Sequence, residues 1–387
     1  MSYTTDLIVF LTVVAARLLI PLFIPRFPLP AIIASLVIDA ADQTIFQQYT
    51  TLEERGYLEG YQSYDKALDI YYLTIAYTST MRNWGGGFLF DVGRFLWYYR
   101  LVGVMIFENT GAELRWLLLV FPNTFEYFFI AIEAYKTRRS PFSLGRRQVV
   151  LIAASIWIFI KLPQEWWIHV AKLDFTNVAK QDVFGVAADA SWGEALTNRP
   201  LVTVLLAVAV AAVVVLLRRL AAGLPPADWR RTLDADRQGR ELGWEPPARR
   251  ARPLASFGLP FVEKAVLVGF VASIFAQILP GVESGPVQMV VSVAILIAVN
   301  TVLSEALARR EVSWRSAGMQ FIVMAAANLA IVYVYYLLGR RDGDADFQLG
   351  NTLFLVGLIT LIVVLFDRFR DIGLQHRVAR RNPVVTG

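Results

Sequence analysis

The chain has 387 residues, 56% hydrophobic and only 18% charged, with no cysteine, two histidines and a formal net charge of +5. Without cysteine there are no disulfides, thiolate nucleophiles, iron–sulfur clusters or Cys-ligated zinc, and His169 and His376 are too few for a histidine-rich metal site, a haem pair or a conventional Ser-His-Asp triad. The basic excess does not point to nucleic acid, because the arginines and lysines fall in loops between apolar runs, where the positive-inside rule puts them.

Apolar runs of about 20 residues match the length that crosses a ~30 Å hydrocarbon core. The predicted class is therefore all-α, a polytopic integral membrane helical bundle with about 10–11 transmembrane helices. The expected spans, in chain order, are 7–24, 29–46, 68–82, 87–107, 114–135, 149–169, 200–217, 258–279, 287–307, 317–338 and 351–366. Pro21, Pro25, Pro28 and Pro30 crowd the junction of the first two. That junction reads either as a turn between two spans or as a broken, re-entrant pair, since proline removes a helical donor and bends the chain. The first segment lacks a basic n-region and a small-residue cleavage site, so it reads as a retained span rather than a signal peptide.

Basic stretches at 136–147, 218–252, 308–315 and 367–381 are expected on the cytoplasmic side, together with the C-terminus. Alternate crossings then place 47–67, 170–199, 280–286 and the N-terminus outside. By composition the chain divides into a charge-rich bundle (1–199), a span (200–217), a basic cytoplasmic linker (218–256) and an apolar C-terminal bundle with a basic tail (257–387). In the linker, Trp229 and Leu233 among arginines allow a short amphipathic helix on an anionic membrane surface; a solvated loop is the simpler reading. The C-terminal half holds only isolated polar residues such as Asn300, Glu305 and Asn328, which argues against a simple inverted repeat.

Charged groups in hydrocarbon are costly, so those inside spans face protein or water and mark a site. Asp39 and Asp42 in VIDAADQ close the second span, and Asp65 and Asp69 in YDKALDIYY open the third, forming an outer-leaflet carboxylate group with Tyr72 on the same stripe. Four acids at one depth require a cation among them, neutralisation by Arg or Lys, or shared protons. Aspartates without Cys or His suit Mg²⁺ or Ca²⁺, which makes these four the metal-ligand candidates; no other cofactor is expected. The competing structural account has Asp39 and Asp42 capping helix ends or pairing with Lys66 and Arg55 in wet interfacial surroundings.

In the sixth span, IFIKLPQEWWIHVAKLD, residues Lys161, Glu165, His169 and Lys172 make a polar stripe. Lys161 and Glu165 are spaced to pair, with Pro163 as a kink and Trp166 and Trp167 as an interfacial belt. A deeper group holds Arg17, Arg94, Arg100, Asn123 and Glu126, with Arg100 expected to pair with Glu126 across adjacent helices. RNWGGG (82–87) lacks phosphate-loop spacing and reads as a hinge.

Two functions fit this layout. In the first, the protein translocates a small solute or ion, with Asp39, Asp42, Asp65 and Asp69 as a vestibule and Arg94, Arg100, Glu126, Lys161 and Glu165 along the path. In the second, it is a membrane-embedded transferase or hydrolase acting on a lipid-linked substrate at the outer leaflet, using an acid-bound divalent metal or a general base, with Lys161 or Arg94 on the lipid phosphate. Translocation is the preferred reading, with membrane lipids and the small cargo as partners and no nucleic acid.

Overall fold

A computed structural model describes residues 3–51, 61–110, 114–140, 143–222 apart from 172, 174 and 189, residue 227, and residues 232–241, 258–279, 286–309, 317–339 and 349–381. Arg55, Lys172 and Trp229 lie outside the described residues, as do nearly all of 280–286 and 308–315.

Among the described residues the protein is all-α. The first half runs α1 (Tyr3–Leu19), a 3-10 turn (Ile20–Phe23), α2 (Pro28–Tyr49), α3 (Tyr61–Asn83), α4 (Phe88–Asn109), α5 (Trp116–Val120) and α6 (Thr124–Lys136). Then come α7 (Arg146–Ser155) and α8 (Leu162–Glu165), extended by π-helical turns at Ile156–Lys161 and Trp166–Val170, followed by α9 (Phe175–Val178) and α10 (Trp192–Asn198). The second half comprises α11 (Pro200–Ala222), α12 (Ala235–Glu241), α13 (Leu259–Ile278), α14 (Pro286–Arg309), α15 (Ala317–Gly339) and α16 (Leu349–Arg381).

Among the described residues, six stretches are long and apolar enough to cross a membrane: Thr4–Phe23, Pro28–Phe46, Trp116–Lys136, Arg146–Val170, Leu259–Gln277 and Gly350–Arg370. A seventh is the pair Trp192–Asn198 and Pro200–Leu216, bent by 101°. All the other expected spans also fall on helices. The α3 and α4 helices each carry four charged residues spread along their length, and the described apolar stretches of α14 and α15 are shorter, Val290–Val302 and Phe321–Ile331.

The polarity of α3 has a structural reason, since this helix is buried on all sides from Ala67 to Met81. Its hydroxyls are satisfied within the helix, with Thr74 donating to the Ile70 carbonyl at 2.6 Å, Ser79 to Ala76 at 2.7 Å and Thr80 to Tyr77 at 2.7 Å. Protein rather than lipid surrounds α3, so its charges escape the cost of hydrocarbon.

Proline and glycine set the breaks. The proline-rich junction yields two separate helices, because Pro21 fits the first turn of the 3-10 segment and Pro28 that of α2, where no N–H is needed. Between α3 and α4, Gly85, Gly86 and Gly87 take φ of 63°, 76° and 87°, a run of positive values that side chains resist. The α16 helix crosses α3 where Gly373 meets the Met81 carbonyl so closely that a Cβ would collide with it. Through this contact and α13, the C-terminal half shares one hydrophobic core with α3, α4 and α6.

Candidate functional site

The acid group forms inside the bundle. Asp39 lies ten residues before Tyr49 at the end of α2, ~15 Å inside it, and Asp69 eight residues after Tyr61 at the start of α3, ~12 Å inside. These aspartates therefore do not close or open their helices, and helix capping is not their role. Asp42 is fully buried and Asp69 nearly so.

All four converge on Arg17, which the sequence had suggested for the deeper group. Its guanidinium pairs with Asp39 and Asp42 and lies 3.1 Å from Asp65 Oδ1 and 3.4 Å from Asp69 Oδ1. Lys66 Nζ sits 3.0 Å from Asp65 and 3.4 Å from Asp69. Oxygens of Asp39, Asp65 and Asp69 all lie within 4.8 Å of one another. Of the expected ways to hold four acids together, neutralisation by Arg and Lys is thus present. Arg17 and Lys66 carry charge for at most two of the four carboxylates of the described cluster.

A second cluster adjoins it. Tyr72, one turn beyond Asp69 on α3, donates to Glu126 Oε1 at 2.5 Å. Asn123 Nδ2 and Lys161 Nζ reach Glu126 Oε2 at 3.0 Å and 3.3 Å, and the Lys161 ammonium also lies 3.9 Å from the centre of the Tyr127 ring. Glu165 accepts from the Asn123 backbone N–H at 3.2 Å and faces His169 Nε2 at 3.0 Å. Glu126, Lys161 and Glu165 are each at most 5% exposed.

Two helix irregularities build this cluster. Pro122 has no N–H and disfavours helical geometry at Phe121, so the expected span 114–135 breaks between α5 and α6. The break frees the Phe121 carbonyl, which accepts from Arg100 at 2.9 Å, and the Asn123 N–H taken by Glu165. Pro163 is flanked by the two π-helical turns, whose i→i+5 bonding accommodates the missing donor. The expected kink is therefore a widening of the helix.

Two expected pairings and one expected placement change. Arg100 donates to the Phe121 carbonyl instead of pairing with Glu126, while acting through space on Glu165 and Lys66. Lys161 bonds Glu126 on the neighbouring helix rather than Glu165, which turns to His169. Arg94 does not join the site at all; it is 42% exposed and pairs with Asp91 at 3.2 Å. Six residues separate Arg94 from Arg100, about 240° around a helix, so the two cannot share a face.

A third station lies two turns further along α6. Glu133 accepts from Lys136 at 3.0 Å and from the Trp84 indole at 2.7 Å. Between Glu126 and Glu133 sits an aromatic layer, with Tyr77 and Trp97 6.1 Å apart, Trp97 and Phe125 5.6 Å, and Trp84 and Phe129 5.9 Å. Beside these stations, Asn123 Oδ1, Thr124 Oγ1 and Trp97 Nε1 are buried with no hydrogen-bond partner among the described residues. Lys66, expected as a partner for Asp39 and Asp42, pairs with Asp65 and Asp69 instead, and the role of the Phe121 carbonyl was missed from the sequence although Pro122 inside an apolar run was its signal.

Comparison with protein-family models, with curated proteins and with solved structures finds no match to this chain.

Proposed function

We propose that this membrane protein translocates a small cation through its N-terminal bundle. The observation that carries this is the cluster around Arg17, where four aspartates from two helices meet two basic side chains and leave a deficit that one divalent cation, or two monovalent ones including protons, would fill. Three further features support it. Titratable groups continue from the aspartates through Tyr72 to Glu126, Lys161, Glu165 and His169. The path runs beside a discontinuous helix, and such breaks lend backbone groups to transporter sites. Buried polar atoms without protein partners are rare, and Asn123 Oδ1 and Thr124 Oγ1 lie next to Glu126.

Arg17 would then act as a resident counter-ion that the cargo displaces in part, releasing Asp39, Asp65 and Asp69 to coordinate it. Reconstituted in proteoliposomes and assayed for H⁺, Na⁺, K⁺, Mg²⁺ and Ca²⁺ flux, the wild type should carry at least one of these ions. Asp69→Asn and Asp39→Asn should lower that flux by about tenfold or more. Flux no greater than in protein-free vesicles for all five ions would overturn the proposal, and turnover of a lipid-linked substrate lost in the same variants would favour the enzyme instead.

A further inference from the structure

The linker between the two halves was expected to be a solvated loop or a helix on the lipid surface. Instead α12 docks on protein, with Ala235, Gln238 and Gly239 buried and Leu233 left 49% exposed. It touches three chain ends at once. The Ala235 N–H donates to the Arg26 carbonyl, after the 3-10 turn, at 2.8 Å. Asp236 pairs with Arg82 at the end of α3, and Gln238 Nε2 lies 3.5 Å from the Lys136 carbonyl at the end of α6. Asp234 adds a 3.5 Å contact to Arg26.

Those ends surround the third station. Trp84, two residues after Arg82, and Lys136, whose carbonyl faces Gln238, are both bonded to Glu133. The two ion pairs that hold α12 each have one accessible partner, with Arg26 62% exposed against 15% for Asp234 and Asp236 37% against 20% for Arg82. Ion pairs in such surroundings are weak and screened by salt. By contrast, the Glu133–Lys136 pair below is buried on both sides.

We propose that α12 is a gate over the Glu133 end of the translocation path, latched by Arg26–Asp234 and Arg82–Asp236, and that it must undock for the cation to pass. The gate rests on the transport reading above. Its docking can nevertheless be measured without any flux.

The cysteine-free chain allows single cysteines at position 235, under the latch, and at position 240, on the exposed side. In nanodiscs at low salt, Ala235→Cys should react with a water-soluble maleimide about tenfold more slowly than Arg240→Cys. The two rates should converge in about 1 M salt, where the screening length falls to ~3 Å, or when Arg82→Gln removes one latch. Equal rates at low salt would overturn the docking. In proteoliposomes, Arg82→Gln should raise cation flux, and the double variant Arg26→Cys/Ala235→Cys should carry flux when reduced and lose it when oxidised to a disulfide. Equal flux in both redox forms would sink the gate while leaving transport intact; no flux in the wild type or either form would remove the transport reading, and the gate with it.

Discussion

Lys161 illustrates how a buried charge selects its partner. Glu165 is four residues away on the same helix run, yet the ammonium bonds Glu126, which Tyr72 and Asn123 hold in place from two other elements. Removing one member of a buried pair leaves the other charge uncompensated and costs about 3–5 kcal/mol. Lys161→Met should therefore lower the thermal stability of the detergent-solubilised protein markedly. Adding Glu126→Gln should restore most of it, because the second change removes the orphaned charge. Flux separates structure from function: we expect the stable double variant to remain inactive, and recovered flux would make Glu126 and Lys161 purely structural.

At the scale of elements, the site depends on helices that are interrupted. Pro122 turns one apolar run into α5 and α6 and so presents a carbonyl to Arg100 and an N–H to Glu165. Pro122→Ala supplies the missing donor and lets the two helices join, which would withdraw both backbone groups. The variant should fold with near-native melting temperature but show flux reduced by about tenfold or more; unchanged flux would mean that the break plays no part in the path. The C-terminal helices use polar groups differently. Asn300 on α14 donates to Asn328 on α15 at 2.6 Å, and Asn328 to Thr360 on α16 at 2.8 Å. These fully buried contacts tie three apolar helices together, as interhelical hydrogen bonds do in membranes.

For the whole molecule, α2 to α7 and α13 to α16 contribute to one hydrophobic core around α3, while α11 stands apart with nearly every described side chain exposed. An apolar helix of this kind is stable where lipid surrounds it. From the basic stretches we propose an orientation with the α2–α3 connection outside and the C-terminus inside. Single cysteines at Glu59 and His376 test this in sealed vesicles with an impermeant maleimide. Position 59 should label from the outside and position 376 only after permeabilisation, and the opposite pattern would invert the topology and the direction assigned to the path.

The sequence alone determined the class, the approximate positions of the helices and most, though not all, of the charges it placed inside, because span length, proline placement and the cost of charge in hydrocarbon are local properties of a chain in lipid. Asp39, Asp42, Asp65 and Asp69 were legible as one group because each pair sits at helical spacing and the span count brings the pairs to one depth. Which charges pair was decided only by tertiary structure. Pairing depends on rotation about each helix axis, and a break at Pro122 or a π turn beside Pro163 changes that rotation by amounts that residue spacing does not encode. Hence Arg17 belongs with the aspartates, Arg94 turns away, Lys161 leaves Glu165 for Glu126, and a short linker helix docks on Arg26 and Arg82.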